Sequence, residues 1–291
     1  MNSKLRMAVA VAIFCLLKRK RLKYNFIPRQ KPMLLQLIEK MVDNYFAIMP
    51  RSKPTTEQIE KARIIAHRGA HNNAQKIFEN TDEAFRLAQE AGCWAIELDI
   101  HATADGVLVV NHDPTLTRLW GHDQRIAQLT FAELRALEPG VPSLEEIVQK
   151  YGRKMHLFIE LKAPFRHEAA LVQVLEDLTP VQDYHLLTLD AATYPTLSQF
   201  PKEALLLVAV HNNSKAFCRL SLEENYGGVM GSYLLLSNRH VNRLKQNNKL
   251  YGVGFVDSEY SLYRELNRNI PWIFSNRAVE VSEYLKTLKH K

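Results

Sequence analysis

The stretch "AIELDIHATADGVLVVNHD", residues 95–113, decides the fold class. Two apolar runs lie on either side of an Asp105-Gly106 pair, which is typical of a tight turn. The first run carries Glu97 and Asp99, and the second ends at His112. Successive side chains of a strand point to opposite faces, so the first run has an apolar face made of Ile96, Leu98 and Ile100. The two acids therefore share the other face.

The same alternation returns in "HLFIELK", residues 156–162. Leu157, Ile159 and Leu161 share one face, which leaves Glu160 and Lys162 on the other. In a parallel barrel the apolar faces pack on helices and active sites lie at the carboxyl ends of the strands. We therefore expect the acids of both strands to point inward at that end.

Strand-like and helical patterns alternate from residue 63 onward. The strand-like runs are 63–66, 95–100, 107–111, 156–161, 184–189, 204–210, 228–233, 250–256 and 272–275, and clear helical patterns cover 81–91, 143–151 and 168–178. Such alternation predicts a parallel sheet covered by helices. A TIM-type (β/α)8 barrel needs about 250 residues and eight strands. The ninth run predicts some distortion early in the barrel, because no helix separates 95–100 from 107–111.

The net charge of +7 is concentrated at one end of the 291-residue chain. Residues 1–61 hold 13 Lys/Arg against 4 Asp/Glu, or +9, and the other 230 hold 25 against 27, or −2. This distribution predicts a basic leader and linker over 1–61 and a barrel over 62–291. A slightly acidic barrel excludes nucleic acid as the partner by charge.

The leader resembles a targeting segment, but its apolar run, Met7 to Leu17, has only 11 residues. A membrane span needs about 20, and "KRKR" follows in place of a cleavage site. We expect a cytoplasmic protein, not an exported one, and the three unpaired cysteines agree with a reducing compartment. The leader is then either a peripheral membrane anchor or an unstructured start that precedes Met33 as the initiator. Residues 33–49 have helical spacing and predict a helix packed on the barrel.

Three carboxylates, Glu97, Asp99 and Glu160, would repel one another if they converged without a cation. Oxygen ligands suit a hard divalent ion, Mg²⁺ or Ca²⁺. Two alternatives remain open: zinc bound through His101 or His112, and three separate surface acids in loops.

Two histidines stand where apolar strands meet loops. His67 ends the first strand in "IIAHRG" and His112 ends the third in "VVNHD". A pair of histidines beside carboxylates suggests acid/base catalysis. Arg68 offers a planar fork for a phosphate, and Lys162 offers a compact second charge. Together these residues suggest a site for an anionic phosphoryl group.

At these positions the chain resembles the glycerophosphodiester phosphodiesterase family. The resemblance covers residues 62 to about 282 and rests on motifs in a matching order: "AHRGA" (66–70), "ENT" (79–81), "IELD" (96–99), "HDPTLTR" (112–118), "VPSLEEIV" (141–148) and "IELK" (159–162). It implies a TIM-type barrel that hydrolyses glycerophosphodiesters with a divalent cation.

The resemblance also implies roles for individual residues. His67 and His112 match the acid/base pair, Glu97, Asp99 and Glu160 match the metal ligands, Arg68 and Lys162 match the phosphate contacts, and Glu79 and Asn80 match supporting residues in the loop. Asn80 also precedes a helical pattern, so an N-cap is its other interpretation.

Two departures from the family pattern concern substrate identity. The segment after "HDPTLTR" is short and begins with Leu119-Trp120, and "GFVD" (254–257) stands where the family has a Trp followed by Thr-Val-Asn. Phe255 would only partly replace that Trp in the wall of the glycerol pocket. The alternative functions are a phospholipase D-like or lysophospholipase D-like enzyme acting on membrane lipid, a non-catalytic binding barrel and a metal-assisted enolising barrel.

Overall fold

In a computed structural model, the chain is described at residue 41 and over residues 44–48, 51–210 and 213–289. These residues belong to one compact unit, Leu37–Lys291. The expectations for the leader and the start of the 33–49 helix lie outside the described residues. Residue 41 and residues 44–48 of that segment are helical, and Phe46 packs against the core. The division of the chain at residue 61 stays a prediction.

All nine predicted strands are present. They are β1 (Arg63–His67), β2 (Ala95–Ala102), β3 (Leu108–Val110), β4 (His156–Leu161), β5 (Tyr184–Thr188), β6 (Leu205–Ala209), β7 (Gly228–Ser232), β8 (Leu250–Gly254) and β9 (Trp272–Ser275). Two of them, β4 and β9, have the predicted ends, and the other ends differ by at most two residues, since the ends of elements depend on hydrogen bonds that a sequence pattern does not specify.

Eight of these strands form a closed parallel ring, because β1 pairs with both β2 and β9. The ninth strand, β3, pairs antiparallel with β2 after the turn at Asp105-Gly106 and lies outside the ring. The TIM-type barrel is therefore confirmed. The surplus strand is explained by a hairpin, which needs no crossover helix.

Ten α-helices lie within the described ranges 51–210 and 213–289. They are α1 (Thr56–Lys61), α2 (Asp82–Glu90), α3 (Thr117–Trp120), α4 (Phe131–Leu137), α5 (Leu144–Tyr151), α6 (Glu168–Val174), α7 (Ser214–Glu223), α8 (Asn238–Gln246), α9 (Glu259–Asn267) and α10 (Ala278–Lys289). Short 3-10 helices cover Asn73–Gln75, Ile126–Gln128, Ala191–Thr196 and Lys202–Ala204. No helix of the described residues is both long and apolar enough to cross a membrane.

The two faces of the strands separate as the alternation predicts. The apolar residues of β2 and β4, Ile96, Leu98, Ile100, Leu157, Ile159 and Leu161, join the core between the strands and the helices. A second cluster fills the barrel interior and consists of Ile65, Ala95, Phe158, Leu187, Leu206, Met230 and Phe274. Glu97 and Asp99 have the same phase as Ala95, so they point into the barrel above this apolar plug.

Candidate active site

Parallel register brings the predicted site residues together. His67 is the cross-strand partner of Glu97, and Asp99 is the partner of Glu160. Adjacent strands lie about 4.8 Å apart, so each pair must be close. The hairpin carries the other histidine, His112, to the same end of the barrel.

The loop after β1 is folded tightly around the site. Arg68 has φ 57° and Gly69 has φ 78°, both in the left-handed region. A Cβ on Gly69 would lie 2.8 Å from Cβ of Ala84 in α2, so this position requires glycine for space as well as for conformation. The close approach turns Arg68 back over the carboxylates.

Arg68 binds three acids at once. Its backbone N–H donates to Glu97 Oε2 at 3.0 Å, its Nη1 donates to Glu79 Oε1 at 3.0 Å, and its Nε lies 3.2 Å from Asp99 Oδ2. Burial alone would lower the pKa of Arg68, but Asp99 and Glu79 raise it instead. The guanidinium therefore stays charged inside the site.

The three predicted ligand acids form one buried cluster. Carboxylate oxygens of Glu97, Asp99 and Glu160 lie within 4.8 Å of one another. Burial, followed by the charges of Asp99 and Glu160, raises the pKa of Glu97 well above its ordinary value. For Asp99, burial opposes ionisation, but Lys162 and Arg68 lower its pKa well below the usual range. The alternative of three separate surface acids is therefore wrong.

Lys162 is part of the acid cluster. Its ammonium nitrogen lies 2.5 Å from Asp99 Oδ1 and also bonds Glu160. The buried Asp99 Oδ1 atom thus has the Lys162 ammonium as its close neighbour. Three carboxylates whose oxygens lie within 4.8 Å of one another supply the oxygen ligands that a hard divalent cation takes. The cluster can hold such an ion.

Of the two supporting loop residues, Glu79 binds Arg68 and Asn80 binds the acid cluster directly. Asn80 Nδ2 donates to Asp99 Oδ2 at 2.9 Å, and Asn80 Oδ1 accepts from the Asp99 backbone N–H at 3.3 Å. The N-cap interpretation of Asn80 is wrong, because the hydroxyl of Thr81 accepts from the Ala84 N–H and caps α2. Asn80 has φ 59°, so it stands outside the helix.

The two histidines have different partners. His67 Nδ1 lies 2.8 Å from Asn276 Oδ1, and its Nε2 lies 3.7 Å from Glu97 Oε2. Burial and the charge of Arg68 lower the pKa of His67 to about 3. His112 Nδ1 instead lies 2.7 Å from the Asp113 carboxylate.

A chain of charges continues from Asp113. Arg118 donates to Asp113 Oδ2 and to Glu79 Oε1, at 2.5 Å each. Burial raises the pKa of both acids, but their partners lower it by more. His112 and Arg118 lower the pKa of Asp113 to about 2, and Arg68 and Arg118 lower that of Glu79 to about 2. Both acids are therefore ionised at neutral pH.

Sequence reasoning missed four residues around the histidines: Asp113, Arg118, Asp257 and Asn276. The first two lie inside the quoted stretch "HDPTLTR", where their position beside His112 was an available signal. Asn276 is 209 residues from His67, and no local pattern links them.

Three further residues line or support this region. His101 Nε2 contacts the backbone oxygen of His112 at 3.1 Å, so it supports the hairpin. Trp120 donates to Asn111 Oδ1 at 3.1 Å and packs edge-on against Phe78. Phe255 has φ 67° and its ring centroid is 6.1 Å from that of His67, which makes it a wall beside this histidine.

Comparison with known proteins supports one family. The model of the Glycerophosphoryl diester phosphodiesterase family matches residues 67–280. A Glycerophosphodiester phosphodiesterase of Caldanaerobacter subterraneus is 36% identical over 115 residues, a match that spans 35% of this chain and only 46% of that protein. A Glycerophosphodiester phosphodiesterase of Bacillus subtilis is 25% identical over 252 residues, which are 75% of this chain and 84% of that protein.

A solved structure agrees on the fold. The phosphodiesterase of Oleispira antarctica, in complex with the product sn-glycerol-3-phosphate, has a TM-score of 0.64 and 21% identity, with 77% of this chain and 96% of that chain covered. The family match spans almost the whole barrel and includes every residue of the site. The chain belongs to the Glycerophosphoryl diester phosphodiesterase family.

Proposed function

We propose that this chain hydrolyses glycerophosphodiesters to an alcohol and glycerol 3-phosphate with the help of a divalent cation. The observation that carries the proposal is the buried cluster of Glu97, Asp99 and Glu160, with Arg68 and two histidines around it. Relatives named Glycerophosphodiester phosphodiesterase support the substrate class.

Glu97, Asp99 and Glu160 would hold the cation, and we propose Mg²⁺ or Ca²⁺ because all three ligands are carboxylates. When bound, the ion would neutralise negative charge on a phosphate oxygen as a Lewis acid. Arg68 and Lys162 would bind further phosphate oxygens. Both side chains lie beside the acid cluster, and the neighbouring acids raise their pKa values despite burial, so both stay charged.

The two histidines would share the proton transfers. His67 would take the proton from the nucleophile, which is either water or the hydroxyl of the substrate next to the phosphoester. If that hydroxyl attacks, a cyclic phosphate forms as the alcohol leaves, and water then opens it to glycerol 3-phosphate. His112, held by Asp113, would donate a proton to the leaving alcohol. Glu79 and Asn80 would keep Arg68 and Asp99 in place.

We further propose that the enzyme works in the cytoplasm and that its basic leader contacts anionic membranes. The charge of +9 on residues 1–61 supports this contact. Binding of the full chain to anionic vesicles should be strong at low salt and weak at high salt, because exposed charges are screened. Binding that ignores salt and lipid charge would contradict it.

The activity test uses a panel of glycerophosphodiesters with the release of glycerol 3-phosphate as the readout. We expect turnover to stop with a chelator and to return with Mg²⁺ or Ca²⁺. Release of head group from lysolipid micelles, without activity on the panel, would instead favour the lysophospholipase D-like alternative. Turnover that survives chelation would rule out the cation.

A further inference from the structure

A chain of hydrogen bonds runs from the end of β8 through the end of β9 to His67. The Asp257 carboxylate accepts three hydrogen bonds: from the Asn276 backbone N–H at 2.8 Å, from Asn276 Nδ2 at 2.9 Å and from Ser275 Oγ at 3.0 Å. Asn276 Oδ1 then faces His67 Nδ1 at 2.8 Å. We call Asp257 and Asn276 the amide clamp.

The clamp determines which way the Asn276 amide faces. One oxygen of the Asp257 carboxylate accepts from the Asn276 backbone N–H and the Ser275 hydroxyl, and the other accepts from the Asn276 side chain, so the atom of Asn276 that faces it is the NH₂ group. The backbone N–H of the same residue is held by the same carboxylate, so the side chain is fixed at two points. Its oxygen is therefore the atom presented to His67.

The orientation of the amide determines the tautomer of His67. An amide oxygen accepts, so His67 Nδ1 must carry the proton that it donates. In the neutral ring the other nitrogen, Nε2, then has a free lone pair. That nitrogen is the one that lies 3.7 Å from Glu97 Oε2, toward the acid cluster.

We propose that Asn276 and Asp257 are positioning residues that lock His67 in the Nδ1-protonated tautomer, with Nε2 presented as the base. The inference rests on the proposed function, because the base acts in that reaction. The clamp supplies an uncharged acceptor, whereas His112 has the charged acceptor Asp113. The different partners give the two histidines different tasks: His67 removes a proton and His112 delivers one.

The test has a spectroscopic and a kinetic arm, both on the full chain with divalent cation. The ¹⁵N shifts of histidine-labelled protein distinguish protonated from unprotonated ring nitrogens, and His67→Gln identifies the signals of His67. We expect a protonated Nδ1 in the native protein at neutral pH. We expect this preference to be lost in Asn276→Leu, which has a similar shape but no acceptor.

In the kinetic arm, kcat of Asn276→Leu should fall roughly 10- to 100-fold, with KM changed by less than about twofold, since the interaction acts on the base and not on substrate binding. Asp257→Asn has nearly the same side-chain shape but no longer fixes the orientation of the Asn276 amide. Its kcat should fall by less than that of Asn276→Leu, again with little change in KM. The exposed amide of Asn247 offers a control, and Asn247→Leu should leave both readouts unchanged.

Two results would overturn the clamp. One is a native His67 protonated on Nε2. The other is an unchanged His67 tautomer in Asn276→Leu and Asp257→Asn, even if kcat falls. Absence of turnover by the native protein would refute the proposed function instead, and the shifts of native His67 would still decide the clamp.

Discussion

At the residue scale, ion pairs and hydrogen bonds between neighbouring side chains hold the site together. Arg68 and Lys162 bring two positive charges to a cluster of buried acids. Asp113 and Asn276 each contact the Nδ1 atom of one histidine. A single substitution at any of these positions therefore removes a charge or a hydrogen-bond partner from a neighbour.

Removal of either histidine should strongly reduce turnover. We expect His67→Ala and His112→Ala each to lower kcat roughly 10²- to 10⁴-fold, because positioned general acid/base groups contribute this much. Initial rates on the best glycerophosphodiester of the panel give the comparison. His122→Ala, at a loop histidine with a 3.8 Å contact to Glu138, is the control. Native rates in both site variants would exclude the acid/base assignment.

At the element scale, the loop between β1 and α2 positions Arg68 by passing very close to the helix. The N–H of Ala70 donates to the Ala84 carbonyl at 2.9 Å, which ties the loop to α2. Asn80 returns the chain to α2 and bonds Asp99 on β2. The loop therefore connects helix packing to the geometry of the acid cluster.

Two glycines distinguish the cost of a left-handed backbone from the cost of a close contact with α2. Gly69 and Gly121 both have φ +78°, but only Gly69 has a neighbour, Ala84, within 4 Å of its missing Cβ. Gly121→Ala should lower the free energy of unfolding by about 1–2 kcal/mol, the cost of the left-handed backbone. Gly69→Ala should cost about 1–3 kcal/mol more because of overpacking, and it should also lower kcat. Urea unfolding gives both values, and equal losses would contradict the close approach.

The starts of β4 and β5 carry a buried pair of histidines at the opposite end of the barrel. His156 Nδ1 donates to the Gln182 carbonyl at 3.0 Å, so its Nε2 must accept from His185 Nδ1 at 2.8 Å. Trp94 stacks on His156 with ring centroids 4.7 Å apart. Burial lowers the pKa of His156 to about 4, and burial and then His156 lower that of His185 to about 3.

This pair predicts how stability depends on pH. Both pKa values are below the ordinary 6.5, so between pH 6.5 and 4 the unfolded chain binds more protons than the folded protein. The contribution of the two neutral histidines to the free energy of unfolding is thus complete above pH 6.5 and is lost as pH falls through this range. From pH 7 to pH 5 each histidine should reduce the free energy of unfolding by about 1–2 kcal/mol. Urea unfolding of His185→Leu should show a flatter pH dependence than the native protein, and an equal dependence would contradict the burial of a neutral pair.

At the scale of the whole molecule, closing the ring places three acids of like charge together. The acids come from β2 and β4, and Arg68 follows β1, so the cluster forms only when these three strands are side by side. Folding therefore has to bury three carboxylates that repel one another.

A cation should accordingly stabilise the native fold. With Mg²⁺ or Ca²⁺ at 100 times the dissociation constant, the free energy of unfolding should rise by about 2.7 kcal/mol. Glu97→Gln removes one repelling charge, so in chelator this variant should be at least as stable as the native protein and should gain little from the cation. Glu145→Gln, at an exposed acid of α5, should respond to the cation as the native protein does. Thermal unfolding measures all three proteins, and a native protein that does not respond would exclude a structural cation site.

The local pattern of this chain determines much of the fold and part of the site. A period of two in 95–100 and 156–161 assigns Glu97, Asp99 and Glu160 to the inner face, because a strand can bury its apolar side chains on only one side. The alternation of strands and helices predicts the barrel, and the positions of His67 and His112 at strand ends predict their approach to the acids.

Only the tertiary structure decided which side chains of the site contact one another. Asn276 reaches His67 because ring closure pairs β9 with β1, and Lys162 binds Asp99 because β4 lies beside β2. Thr81 and not Asn80 caps α2, because Asp99 binds the Asn80 amide. The physical reason is range: the alternation of side chains is a property of neighbouring residues, whereas hydrogen-bond partners depend on which distant strands the closed barrel brings together.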